Sequence, residues 1–255
     1  MLMFAYHVFI LALTIFILGL ISFFVAFYVY KKKQLVGGTP TSKIRSLAMG
    51  LVELIGQVIP IQKRLLKSPF TEKDCVYYQF TVEEYVSGGK SSYWKLIKKD
   101  EKRSLFYLKD DTGMVLVDPT GATIEAIRDF DYESGHERDP PESVIRFLTA
   151  NNISYEGFFG ANKTMRYREH IIVPNENLYV MGTADENPFI NDSEANQGLP
   201  NTIIKKGAQE KIFFISNKKE QDIIKEFDIR IVGAIVFGLL LTIFGLLMMY
   251  FQGII

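Results

Sequence analysis

Residues 1 to 30 read MLMFAYHVFILALTIFILGLISFFVAFYVY and contain no Lys, Arg, Asp or Glu. About 20 apolar residues in helix cross the hydrocarbon of a bilayer, so this stretch predicts a spanning helix with length to spare for tilt. A second stretch, residues 231 to 255, is again free of charge and is closed on its inner side by Arg230. A secretory signal peptide is the competing reading of the first stretch. Such peptides place their bases before a short apolar core, whereas Lys31, Lys32 and Lys33 follow this one, so the helix is expected to stay attached.

Every charged residue of the chain lies between the two stretches. The chain therefore divides into a transmembrane helix at 1 to 30, a linker with a short helix at 31 to 48, a β-rich domain at 49 to 228 and a second transmembrane helix at 229 to 255. A net charge of zero conceals an asymmetry. Residues 31 to 109 carry 16 basic and 7 acidic side chains, and residues 110 to 200 carry 6 and 17. A basic face near anionic lipid fits this, and so does an ordinary solvated surface.

The fold class expected is α+β and mainly β: a small barrel-like, OB-like domain flanked by two helices. Val52, Leu54, Gly56 and Val58 alternate along an extended segment, and residues 75 to 86 (CVYYQFTVEEYV) form a longer β-branched and aromatic run. Gly37 to Pro40 read as a flexible joint, with Thr41 or Ser42 capping a short helix through Leu47. Residues 92 to 98 and 105 to 109 read as a hairpin with a charged loop, Lys98 to Arg103, at its tip. Asp110-Asp111-Thr112-Gly113 and Asp118-Pro119-Thr120-Gly121 read as turns. Residues 129 to 141 read as an acidic loop before a helix that Pro141 opens, and 165 to 173 and 177 to 183 as further strands. The segments VELIGQV (52 to 58) and LYVMGTA (178 to 184) both place Gly after apolar alternation, as at a bulge or barrel corner.

In order, Val52-Glu53-Leu54-Ile55-Gly56-Gln57, Ser68-Pro69, Cys75-Val76-Tyr77-Tyr78, Val82-Glu83-Glu84, Trp94, Phe106-Tyr107-Leu108, Gly113, Val115-Leu116-Val117-Asp118-Pro119 and Gly121-Ala122 resemble the GIDE-type domain, also called the "beside a membrane" (BAM) domain. Residues 178 to 184 and 213 to 216 continue the resemblance, which covers roughly residues 45 to 228 together with the flanking helices. The best known members are mitochondrial membrane ubiquitin ligases that carry a RING finger after the second helix. A RING takes about eight Cys and His ligands for two zinc ions. This sequence has one Cys and three His, one of them (His7) in the first apolar stretch, so a RING-less relative is expected and ligase activity is not carried over. The resemblance implies a membrane-flanked sensing, scaffolding or partner-binding domain.

No catalytic constellation emerges from the residues. P-loop, GxGxxG and HExxH patterns are absent, His136 and His170 stand in no motif with a nucleophile, and a single Cys75 before an apolar strand reads as a buried small side chain. Asp110, Asp111 and Asp118 read as turn chemistry rather than a metal pair, and Asp185, Asn187, Asn191 and Asp192 lack calcium-loop spacing. No metal, no cofactor and no nucleic-acid partner is expected. Tyr93 and Trp94 beside Lys98, Lys99, Lys102 and Arg103 are a candidate membrane-surface contact; a packed Trp in a barrel wall is the preferred reading. Ala5, Ala12, Gly19, Ser22 and Ala26 in the first helix, and Ala234, Gly238, Thr242 and Gly245 in the second, place small residues in line as helix-packing faces. The expected partners are the bilayer and either further copies of the chain or other membrane proteins. Two functions follow: a non-enzymatic adaptor, or an accessory subunit of a membrane enzyme whose catalysis resides in another chain.

Lys31, Lys32, Lys33, Lys43 and Arg45 after the first stretch, and Lys211, Lys218, Lys219, Lys225 and Arg230 before the second, place the domain in the cytoplasm with both termini outside. Protease added outside intact cells should then leave residues 31 to 230 whole, and the sequons at Asn152, Asn162 and Asn191 should stay unmodified. A glycan on any of them, or external cleavage between residues 185 and 200, would reverse the assignment.

Overall fold

The computed structural model describes residues 2–89, 91–157, 160–189, 201–208 and 212–251. It comprises two compact units, one of Met1–Pro40 with Lys219–Ile255 and one of Thr41–Lys218. In the first, α1 (Leu2–Gly38) packs against α3 (Glu220–Phe251); the helix between them in sequence, α2 (Glu142–Ala150), belongs to the second unit. Helix α1 runs through Gly37 and Gly38, where a joint was expected. Glycine lowers helix propensity by about 1 kcal/mol without ending a helix that is already long. Within this unit the Lys33 ammonium donates to Asp228 at 2.5 Å, which ties the end of α1 to the beginning of α3.

The described residues of the second unit form thirteen strands: β1 (Gly50–Pro60), β2 (Leu66–Lys67), β3 (Asp74–Cys75), β4 (Tyr77–Gly88), β5 (Ser91–Arg103), β6 (Phe106–Lys109), β7 (Met114–Val117), β8 (Thr123–Glu125), β9 (Arg128–Ser134), β10 (Met165–Ile172), β11 (Asn177–Glu186), β12 (Thr202–Lys205) and β13 (Phe214–Ser216). Strands β1, β6, β7, β12 and β11 hydrogen-bond in that order, and β11 returns to β1, so five strands close a barrel. All pairs in the ring are antiparallel except β7 with β12. This is the small OB-like barrel that the alternating segments predict, and it removes the open edges that a five-stranded sheet would otherwise expose. Its interior holds Val52, Leu54, Val58, Leu108, Val115, Val117, Leu178, Val180 and Ile204.

The two glycine-bearing segments noted in the sequence are each other's partners. Gly56 faces Leu178 and Gly182 faces Val52 in the β1–β11 ladder. A methyl group at Gly56 would lie 2.7 Å from the Lys109 carbonyl oxygen, and one at Gly182 2.8 Å from the Phe213 ring. Both positions are places where the barrel wall turns too tightly for a Cβ.

Two insertions into the ring build a second sheet, ordered β5-β4-β10-β9 and antiparallel throughout. Helix α2 covers it with Val144 and Leu148. Phe70 fills the centre of this second core, with ring centroids 5.2 to 6.0 Å from those of Phe80, Phe130, Phe147 and Tyr167. Three local expectations are corrected. Lys98 to Arg103 is not a hairpin tip but the second half of β5, paired with residues 77 to 82, and the hairpin turns at Gly88 and Gly89 instead. Charges concentrate there because β5 is an edge strand, where lysines keep an open ladder soluble. Part of the acidic loop is β9, whose Phe130 and Tyr132 supply the inward phase between solvated Asp131 and Glu133. The short helix after Thr41 is a single 3-10 turn, Ile44–Ser46, whose N-cap position is Lys43 and which has no side-chain cap; the Thr41 hydroxyl donates instead to the Glu53 carboxylate at 2.8 Å.

Replacing Gly56 with Ala should destabilise the protein by about 2 kcal/mol, since the clash is with backbone. Gly233→Ala, at a helical position with open space beside it, should be neutral in the same chemical-denaturation measurement.

Candidate functional site

Three groups of side chains stand out chemically. The first lies in the helix pair. The Ser22 hydroxyl donates to the Ala234 carbonyl at 2.8 Å, and a methyl group at Gly19 would clash with Thr242 Oγ1. A Cβ on Gly238 would approach the Gly19 carbonyl at 3.0 Å, and one on Gly245 the Ala12 carbonyl at 3.0 Å. Ala12 and Ala26 are buried, and the Thr242 hydroxyl turns back to the Gly238 carbonyl at 2.7 Å. Small residues thus bring the two backbones together. The Ala5 side chain lies outside the described residues.

The second group is the β5 set. Tyr93, Trp94, Lys98, Lys99, Lys102 and Arg103 share one strand but not one face: Lys98 and Lys102 face the same way as Val82 and Tyr78, whereas Trp94, Lys99 and Arg103 are opposite Tyr85, Thr81 and Tyr77. The Lys98 ammonium donates to Asn151 Oδ1 at 2.6 Å at the end of α2. Trp94 packs against Tyr85 with centroids 5.2 Å apart, and the Arg166 guanidinium lies 4.2 Å over its ring. Arg166 also pairs with Glu83 at 2.8 Å. Strand alternation and a bulge beside Val82 divide the basic cluster that a linear reading brings together.

The third group is a pair of buried carboxylates that composition gives no reason to single out. Glu169 is fully buried and accepts from the Phe70 N–H at 2.7 Å, the Thr71 N–H at 3.0 Å and the Thr71 hydroxyl at 2.6 Å. Glu53, 1% exposed, accepts from Thr41 and, at 2.6 Å, from the Tyr179 hydroxyl. A signal for Glu169 did exist: it occupies the inward phase of Met165, Tyr167 and Ile171 in β10. A carboxylate in an apolar phase has to find donors, and here two come from the backbone of a turn.

Other singled-out residues are structural in their contacts. Cys75 is buried, and its thiol is pushed up to about 12 by burial, with the Glu169 and Asp74 carboxylates adding to the effect; a thiol in that state is not a nucleophile at neutral pH. His170 Nδ1 is 2.9 Å from the Ala126 carbonyl oxygen, and His136 is exposed. Asp110 ties the linker to the β6–β7 turn. It accepts from the N–H groups of Ile44, Thr112 and Gly113 and from the Thr112 hydroxyl, at 2.7 to 2.9 Å. Among the described residues no three His, Cys, Asp or Glu side chains cluster as metal ligands. Asn191, Asp192 and Lys211 lie outside the described residues. Of the other flanking bases, Lys33, Lys43, Lys218 and Arg230 reach Asp228, Asp111, Glu125 and Glu226.

A family model described as GIDE, E3 ubiquitin ligase, matches residues 77–248. Neither the curated proteins nor the solved structures give a match.

Burial raises the Asp110 pKa, but the bonds from Ile44, Thr112 and Gly113 outweigh it, and the net shift is downward. A depressed carboxylate stabilises the fold above its unfolded value, and that contribution is lost as pH falls through the folded pKa. Asp110→Ala should therefore lower stability at neutral pH by about 2 kcal/mol. The gap between wild type and variant should close as pH drops below 3.8, the ordinary value; a pH series of urea midpoints checks both.

Proposed function

Because this chain belongs to the GIDE family, we propose that it is a two-pass membrane protein whose β-rich domain is a non-enzymatic scaffold that binds protein partners at the membrane surface. One observation carries the membrane half. Only 11% and 17% of the most apolar windows of α1 and α3 are buried, and Phe24, Tyr28, Phe237 and Leu240 stand more than half exposed on the helix pair. The core helix of a soluble protein would bury such side chains; lipid leaves them solvated by acyl chains. The Ser22 to Ala234 bond and the close approach at Gly19 support a first helix that is retained rather than cleaved.

The scaffold half rests on what the domain's polar residues do. Glu169, Glu53, Asp110 and the Arg166–Glu83 pair hold turns and strands together, and Cys75 is protonated and enclosed, so these groups serve the fold. The family's description favours a second reading, an accessory subunit of a membrane-bound ubiquitin ligase with catalysis in another chain.

Cross-linking in intact membranes followed by gentle solubilisation separates these readings. The scaffold predicts a stoichiometric partner that carries no ligase or hydrolase activity. Recovery of a ligase subunit would favour the second reading, and recovery of no partner would overturn the first.

A further inference from the structure

A polar cleft of about 520 Å³ lies at one end of the barrel, lined by Arg64, Arg103, Ser104, Leu105, Asp118, Pro119 and Thr120. Its walls are the segment that enters β6 and the turn that leaves β7. The cleft is rigid where it matters. Arg103 Nη1 donates to the Pro119 and Ala122 carbonyls at 2.7 and 2.8 Å, its Nη2 pairs with Glu101 at 2.7 Å, and the Ser104 hydroxyl donates to the Arg64 carbonyl at 2.6 Å. Asp118 Oδ1 accepts from the Thr120 N–H at 3.0 Å, which fixes the carboxylate on the rim.

These bonds leave an uneven set of groups for a ligand. The Arg64 guanidinium is exposed and makes no hydrogen bond or ion pair within the described residues. Three of the five N–H donors of Arg103 are engaged, which leaves two. Among the described residues Asp118 Oδ2 accepts no hydrogen bond and the Thr120 hydroxyl is likewise unengaged. The cleft therefore offers guanidinium donors beside one acceptor and one hydroxyl. Among the described residues Leu105 and Pro119 are its apolar lining and no aromatic ring lines it, so they give a base or sugar ring nothing to stack on.

We propose that this cleft docks an acidic segment of a partner protein, with a carboxylate of the segment against Arg64 and the spare donors of Arg103. A backbone N–H of the segment then meets Asp118 Oδ2. A planar guanidinium matches a carboxylate through two parallel bonds, and an extended peptide supplies acid and N–H at short spacing, as this mixed lining requires. The proposal rests on the partner-binding reading above and gives the partner its chemistry.

The test uses the full chain in nanodiscs of phosphatidylcholine and a fluorescent peptide of alternating Asp and Glu, with an alternating Lys and Arg peptide as its counterpart. Saturable binding of the acidic peptide is expected, weakened about tenfold or more in Arg64→Gln. Arg64→Lys should restore part of it, and Lys73→Gln, at an exposed site outside the cleft, should leave it unchanged. Equal binding to wild type and Arg64→Gln would overturn the proposal, as would equal losses in Arg64→Gln and Lys73→Gln or an absence of saturable binding. Membrane cross-linking of the same variants keeps the two readings apart. A stoichiometric partner recovered equally with wild type and Arg64→Gln would sink the cleft but leave the scaffold standing, and none recovered with wild type would sink the scaffold itself.

Discussion

Strand β1 is the constraint on which the barrel depends. It pairs with β11 from Gly50 to Gln57 and with β6 from Gln57 to Pro60, so one strand serves two neighbours and brings the ends of the sheet together. The handover falls beside Gly56, where the Lys109 carbonyl approaches too closely for any side chain. Alternation along β1 then directs Val52, Leu54 and Val58 inward, and every other ring strand is placed by reference to it. Because the closed ring satisfies its own edges, long insertions can leave it between β1 and β6 and between β7 and β11 without unravelling it.

Those insertions make a second core that depends on a different interaction. The fully buried Glu169 carboxylate holds the backbone at Phe70 and Thr71, and the turn so held drops the Phe70 ring among four other aromatics. Desolvating a carboxylate is unfavourable by itself. Three donors, two of them backbone groups that would otherwise need partners of their own, offset much of that penalty. The polar residues most deeply enclosed in this domain thus act on the fold, and the chemistry left over for a partner sits on the surface.

In the helix pair the corresponding role falls to small side chains. Association of helices in lipid relies on close packing rather than on removal of apolar surface from water, and the Gly19, Ser22, Gly238 and Gly245 contacts supply it. The Lys33 to Asp228 pair adds a polar tie where the apolar stretches end.

The sequence by itself determined the two apolar helices and the mainly β character, because these depend on local period and composition: unbroken apolar runs for the helices, alternation for β1 and β11. The family was carried by the order of its motifs along the chain and not by their period. It also marked Gly56 and Gly182 as unusual without showing that their strands are partners. Tertiary structure alone decided the rest. Whether Lys98 to Arg103 is a loop or a strand turns on the presence of β4 beside it, and whether Phe130 and Tyr132 form a strand turns on β10. Glu169 lies in the inward phase of β10, but the donors that hold its carboxylate come from a turn about a hundred positions earlier in the chain, which local pattern does not show. The cleft at Arg64 is likewise assembled from three separate segments, those that follow β1, precede β6 and follow β7. Long-range pairing leaves no trace in local pattern, since the energy that fixes it comes from groups far apart in sequence.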